Sequence, residues 1–156
     1  MDVYRVSFFG HRTLYSIIPM EKEIERIVRE LIETKEFVEF YVGRNGDYDI
    51  CVASTVKRVQ KEMGYNNSAP ILVLPYTVKD IEYYQNYYND IILPLEEKTH
   101  FKAAITKRNR WMVDNSELVL AYVERESGGA YQALRYAEKR GVNIINLGKR
   151  SNSNGA

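Results

Sequence analysis

The chain alternates between short runs of unbroken apolar residues and longer runs in which apolar and charged residues recur at helical spacing. "VYRVSFFG" (3–10) is β-branched and aromatic and ends in glycine, which predicts a buried strand. From 20 to 35, "MEKEIERIVRELIETK" sets Ile24, Ile27, Val28, Leu31 and Ile32 on one face with charges opposite. That predicts a helix, and Pro19 just ahead of it suits a first turn. "EFVEFYVG" (36–43) predicts a second strand, and "ICVASTVKRVQKEMG" (50–64) a helix closed by Gly64. "APILVLPY" (69–76) predicts a third strand, 78–90 a short helix and 90–94 a short fourth strand. A helix over 102–116, a fifth strand over 117–123, a helix over 129–141 and a last strand over 142–148 complete the pattern.

Strands that are apolar throughout are covered on both faces, and parallel pairing needs crossovers of about a dozen residues, which the helices supply. The pattern therefore predicts an α/β fold: a three-layer, Rossmann-like, doubly wound arrangement with a mostly parallel sheet. A chain of 156 residues is long enough for one sizeable core. One domain is expected over 1–148, followed by a disordered polar tail, "KRSNSNGA" (149–156).

In such sheets ligands sit beyond the carboxyl ends of the strands. The unusual residues of this chain fall there: "GHR" (10–12), "GRNGDYD" (43–49), "PYT" (75–77) and "ERESGGAY" (124–131). In the first, Gly10 lets backbone approach a ligand, and His11 and Arg12 can engage a phosphate or a base; alternatively Gly10 only permits the turn and both side chains face solvent. In the second, Gly43 and Gly46 can turn amide groups toward an anion, while Asp47 or Asp49 can cap the helix that follows. Neither GxxxxGK[ST] nor GxGxxG is present. In the fourth, Ser127, Gly128 and Gly129 open a helix whose free amides suit a phosphate, or they form a plain turn. Trp111, Met112 and Val113 read as core, and so does the stripe Tyr83, Tyr84, Tyr87 and Tyr88, with an oligomer contact as its second reading.

Charge and composition narrow the picture. Lys and Arg number 22 against 21 Asp and Glu, which weighs against a nucleic-acid partner, although "KRNR" (107–110) is a local basic cluster. The single cysteine, Cys51, allows no internal disulfide and no cysteine-built zinc site, so a reducing, cytoplasmic setting is expected. No run approaches the roughly 18 apolar residues of a membrane span, and the first residues lack the pattern of a signal peptide. His100 has no companion at ligand spacing, so no metal site is expected.

"FFGHR", "YVGRNGDYD", "RNRWMVDNSELVLAYV" and "GGAYQALRYAEKRGVNIINL", in that order, resemble the SLOG superfamily, small Rossmann-like proteins that include the Smf/DprA and LOG groups. The resemblance runs from Val3 to Leu147 and is greatest to the short, single-domain, YpsA-like bacterial members. It implies a pocket for a nucleotide or nucleotide-derived, ADP-ribose-like ligand, built by Gly10, His11 and Arg12, by Gly43, Gly46 and Asp49, and by Gly128 and Gly129. Arg108, Asn109 and Asp114 fall where relatives carry "RN…MVD", and Arg44, Ser127 and Tyr131 complete the candidate set. No resident cofactor is firmly implied.

LOG enzymes carry a "PGGxGTxxE" stretch whose glutamate works on an N-glycosidic bond. Here the turn reads "SGGAYQALRYAE", with no acid at the matching place. The bond needs a carboxylate, so the resemblance carries phosphate binding over but not hydrolysis. The expected role is binding or sensing of the ligand. The alternative is an enzyme acting on an N-glycosidic bond, with Asp49, Asp114 or Glu124 as its carboxylate. The third is DprA-like binding of single-stranded DNA. A homo-oligomer is expected from the tyrosine-rich helix.

Overall fold

The computed structural model describes residues 1–44 and 46–148, so the predicted polar tail at 149–156 lies outside the described residues. Strand and helix alternate as β1 (Val3–Gly10), α1 (Ile17–Thr34), β2 (Phe37–Val42), α2 (Asp47–Met63), β3 (Ser68–Val73) and α3 (Ile81–Tyr87). They continue as β4 (Asp90–Ile92), α4 (Phe101–Asp114), β5 (Leu118–Tyr122), α5 (Gly129–Arg140) and β6 (Asn143–Asn146). Two helices start earlier than the apolar pattern indicates. α1 takes in Pro19, which the first turn tolerates because its amides have no helical partner. α2 takes in Asp47 and Asp49, whose charges suit the positive end of a helix. Neither is the capping residue, which is Gly46.

The six strands form one sheet in the order β4-β3-β2-β1-β5-β6, and every pairing is parallel. The chain builds outward from β1 to β4, then crosses back through α4 to place β5 against the other side of β1. In register, Phe8 of β1 stands beside Leu120 of β5 and Val6 of β1 beside Phe40 of β2. The order reverses between β1 and β5, which is where a doubly wound sheet opens a crevice.

Each face of the sheet has its own core. One packs Val6, Phe8, Phe40, Leu72 and Leu120 under α1 and α2. The other packs Phe9, Tyr41, Val119 and Ala121 under Met112 and Val113 of α4 and Ala133, Leu134 and Ala137 of α5. Trp111 leans on Tyr41 with ring centroids 5.5 Å apart, which places it with the core. The tyrosine stripe divides: Tyr88 is buried, Tyr84 and Tyr87 pack partly against the first core, and Tyr83 is exposed and stacked on Tyr87. His100 caps α4, its Nδ1 accepting from the Lys102 amide at 3.2 Å. Among the described residues no helix is long and apolar enough to cross a membrane.

Candidate functional site

Four loops at the carboxyl ends of the strands, with one face of α4, enclose a cleft of about 590 Å³. From the β1–α1 loop come Gly10, His11 and Arg12, and from the β2–α2 loop and first turn of α2 come Gly43, Arg44 and Asp49. Pro75, Tyr76 and Val78 follow β3, Ile105, Arg108, Asn109 and Met112 belong to α4, and Arg125, Ser127, Gly128, Gly129 and Ala130 come from the β5–α5 turn.

His11 lines the cleft and does not face solvent. It is buried, 7% exposed, and its Nε2 accepts from the amide of Glu124 at 2.8 Å and that of Arg125 at 3.4 Å. An accepting Nε2 carries no proton, so the ring is neutral with its hydrogen on Nδ1. Burial holds its pKa below the ordinary imidazole value; the Arg125 charge adds to this and Glu124 opposes it. His11 thus fastens the loop after β5 to the loop after β1, across the line where the strand order reverses.

Arg12 is exposed, and its backbone is held from behind. Its carbonyl accepts from the Asp47 amide at 2.7 Å, and Asp47 Oδ2 accepts from the Leu14 amide at 2.9 Å. Gly46 sits against this loop at φ +101°, where a Cβ would stand 2.8 Å from Arg12 Cα. Gly46 therefore supports the cleft without lining it, and Asp47 secures the loop instead of capping the helix.

Asp49 lies across Gly43, its Oδ2 2.9 Å from where a Gly43 Cβ would be, with Arg108 Nη1 3.6 Å from the same point. Arg108 is half-buried, donating from Nη1 to the Val73 carbonyl at 2.7 Å and from Nε to Asn109 Oδ1 at 2.9 Å. Burial pushes its pKa down while Asp49 and Tyr76 oppose the shift. Arginine remains a cation under such a shift.

The β5–α5 turn is exposed from Glu124 to Gly129. Gly128 has φ +93° and ψ 175°, a combination essentially confined to glycine. The first helical bond of α5 runs from the Gln132 amide to the Gly128 carbonyl, so the amides of Gly129, Ala130 and Tyr131 have no partner within the helix. Those amides lie at the positive end of α5, beside Arg125.

Three candidates stand elsewhere. Asp114 ends α4 and accepts from the Tyr136 hydroxyl at 2.9 Å, with Arg140 at 3.2 Å. It precedes β5 and so lies toward the amino ends of the strands, away from the cleft. Glu124 points its exposed carboxylate at the Tyr122 hydroxyl, and only its amide serves the loop. Tyr131 packs against the second core, not the cleft wall. Conversely, Tyr76, Ile105 and Arg125 line the cleft without having been singled out, though Tyr76 and Arg125 lie in the strand-end loops and Ile105 shares a helical face with Arg108 and Asn109.

Among the described residues Arg12, Arg44, Arg108 and Arg125 line the cleft against one lining acid, Asp49. A near-neutral total charge therefore conceals a local excess of cations. Among the described residues no three His, Cys, Asp or Glu side chains stand together as a metal site.

No family model matches the chain, and no curated protein matches it by sequence. Solved structures do match it in fold. DNA processing protein A from Helicobacter pylori superposes with a TM-score of 0.64 at 17% identity, over 90% of this chain and 63% of that one. DNA processing protein A (DprA) from Streptococcus pneumoniae gives 0.53 at 12% identity, over 94% and 59%. The Moco carrier protein of Chlamydomonas rheinhardtii gives 0.57 at 12% identity, over 95% and 77%. The chain thus spans about three fifths of the length of the two DNA processing proteins. These neighbours share the Rossmann-like fold with this chain. They also correct the expectation that set nucleic acid aside, because the Helicobacter pylori protein binds single-stranded DNA. That expectation rested on net charge, which averages away the arginines gathered at one cleft.

Proposed function

We propose that the chain binds a nucleotide or nucleotide-derived ligand in this cleft, with a phosphate at the amino end of α5, and that it is a short, YpsA-like SLOG protein. One observation carries the reading. Gly129 has no positive φ and would meet nothing within 4 Å if it bore a Cβ, so neither backbone nor packing requires glycine there. It lies on the cleft wall at the first position of α5, where a missing side chain lets an anion reach free amides. Arg125 of the same turn and Arg12 of the β1–α1 loop add positive charge to the cleft. Calorimetry and thermal shift against nucleoside mono- and diphosphates, cyclic nucleotides and ADP-ribose test it. A saturable heat with a raised melting temperature is expected from at least one member. Silence across the panel overturns the reading.

A single strand of DNA in the same cleft is the second reading, favoured by the binding named for the Helicobacter pylori protein and by Arg12, Arg44, Arg108 and Arg125. Affinity for oligothymidylate would then fall with added salt, with a log–log slope of about −0.7 per phosphate neutralised. Arg12→Gln and Arg44→Gln would each flatten that slope.

A further inference from the structure

We infer that the cleft contains a base-stacking subsite, formed by Tyr76 with Phe101 and Ile105, for the heteroaromatic ring of the nucleotide whose phosphate lies at α5; this rests on the reading above. The cleft is chemically two-ended. Tyr76 and Val78 follow β3, with Ile105 of α4 lining the same cleft, while the free amides and Arg125 follow β5, three places along the strand order. Tyr76 is 39% exposed and Ile105 43%, and Phe101, 66% exposed, packs its ring beside Tyr76 with centroids 6.3 Å apart. Three apolar side chains left open to water side by side form a surface for a flat apolar partner.

Continuity with the anion end selects that partner. Tyr76 and Ile105 line the same cleft as Gly128 and Gly129, so one ligand can span both ends. A sugar phosphate would leave the aromatic wall wet, and a wholly apolar molecule would leave Arg12 and Arg125 unanswered. A nucleotide meets both, with its ring on Tyr76, since any base offers a face for stacking. The Tyr76 hydroxyl is near enough to Arg108 to act on its charge, which ties the shelf to the polar wall.

Calorimetry with the four nucleoside 5′-monophosphates and with ribose 5-phosphate tests the subsite, using the unaltered chain, Tyr76→Ala and Phe101→Ala. Retained helical signal by circular dichroism confirms that each variant folds. The tightest monophosphate is expected to bind the unaltered chain at least about 5-fold better than ribose 5-phosphate, and Tyr76→Ala to weaken it by about 5- to 150-fold, the range of base–aromatic stacking. Ribose 5-phosphate should bind all three chains within about twofold. Equal affinity for nucleotide and sugar phosphate, or equal loss of both in Tyr76→Ala, overturns the subsite and leaves the phosphate reading standing. If neither binds, both readings fall together. Comparing thymidine monophosphate with an oligothymidylate of eight residues separates a free nucleotide from a strand unit: both should lose affinity in Tyr76→Ala, and the tighter of the two identifies the source. Sedimentation covers the remaining occupant: self-association lost in Phe101→Ala with nucleotide affinity intact assigns the shelf to a second copy and overturns the inference.

Discussion

The ring of Tyr48 lies directly against Gly10: a Cβ on Gly10 would stand 2.1 Å from Tyr48 Cγ, and the Tyr48 hydroxyl donates to the Leu120 carbonyl at 2.7 Å. Tyr48 is fully buried, and burial raises its phenol well above the ordinary range, so it stays a neutral donor. One side chain from the first turn of α2 thus crosses β1 and reaches β5, fixing the point from which the cleft loops depart.

Gly10→Ala is expected to displace that ring and lose its hydrogen bond, destabilising the chain by about 2–4 kcal/mol. Urea unfolding measures it. Combined with Tyr48→Ala the two costs should be strongly non-additive, because removal of the ring also removes the clash. An additive double mutant would show that the contact does not carry the effect.

Stability should fall on mild acidification through His11. Its folded pKa is held below the ordinary 6.5, so in that interval the unfolded chain takes up a proton that the folded chain refuses. The contribution is full above about 6.5 and is lost as pH drops through the folded pKa. His11→Gln removes the titration, and thermal melts from pH 7.5 to 5 should then show a shallower decline than the unaltered chain. Parallel declines would count against the role given to His11.

The two glycines of the β5–α5 turn should behave differently. Gly128→Ala forces a side chain into a glycine-only conformation and should cost about 1–3 kcal/mol. Gly129→Ala meets open space and should leave stability within about 0.5 kcal/mol while weakening phosphate-bearing ligands. Unaltered affinity in a stable Gly129→Ala chain would remove the phosphate from that turn.

Of the three carboxylates considered for N-glycosidic chemistry, Asp49 alone lines the cleft. If the chain cleaves such a bond, nucleoside monophosphates should release free base, detected by chromatography, and Asp49→Asn should abolish release. Asp114→Asn should leave any release unchanged, since its carboxylate is engaged by Tyr136 and Arg140. No release from the unaltered chain dismisses the enzyme.

The layered fold was legible because apolar runs and helical stripes are local patterns, and order along the chain sets which loops share one edge of a parallel sheet. That same order could have excluded Asp114, which precedes a strand instead of following one. What remained hidden was contact between distant segments. Nothing near His11 announces that the amides donating to its Nε2 lie more than a hundred positions away, and nothing near Gly10 announces Tyr48. Asp47 and Asp49 looked like capping residues because a local rule fits them, yet one secures Leu14 and the other crosses Gly43.

α4 carries Phe101 and Ile105 near its start and Arg108 and Asn109 further along. The rise from Phe101 to Arg108 is about 10 Å at 1.5 Å per residue. Because both groups ride on one rigid helix, the spacing between ring contact and cation does not adjust to the visitor. Under the proposed reading that fixed interval acts as a measuring rod, so a ligand that is to touch both marks has to match it in length.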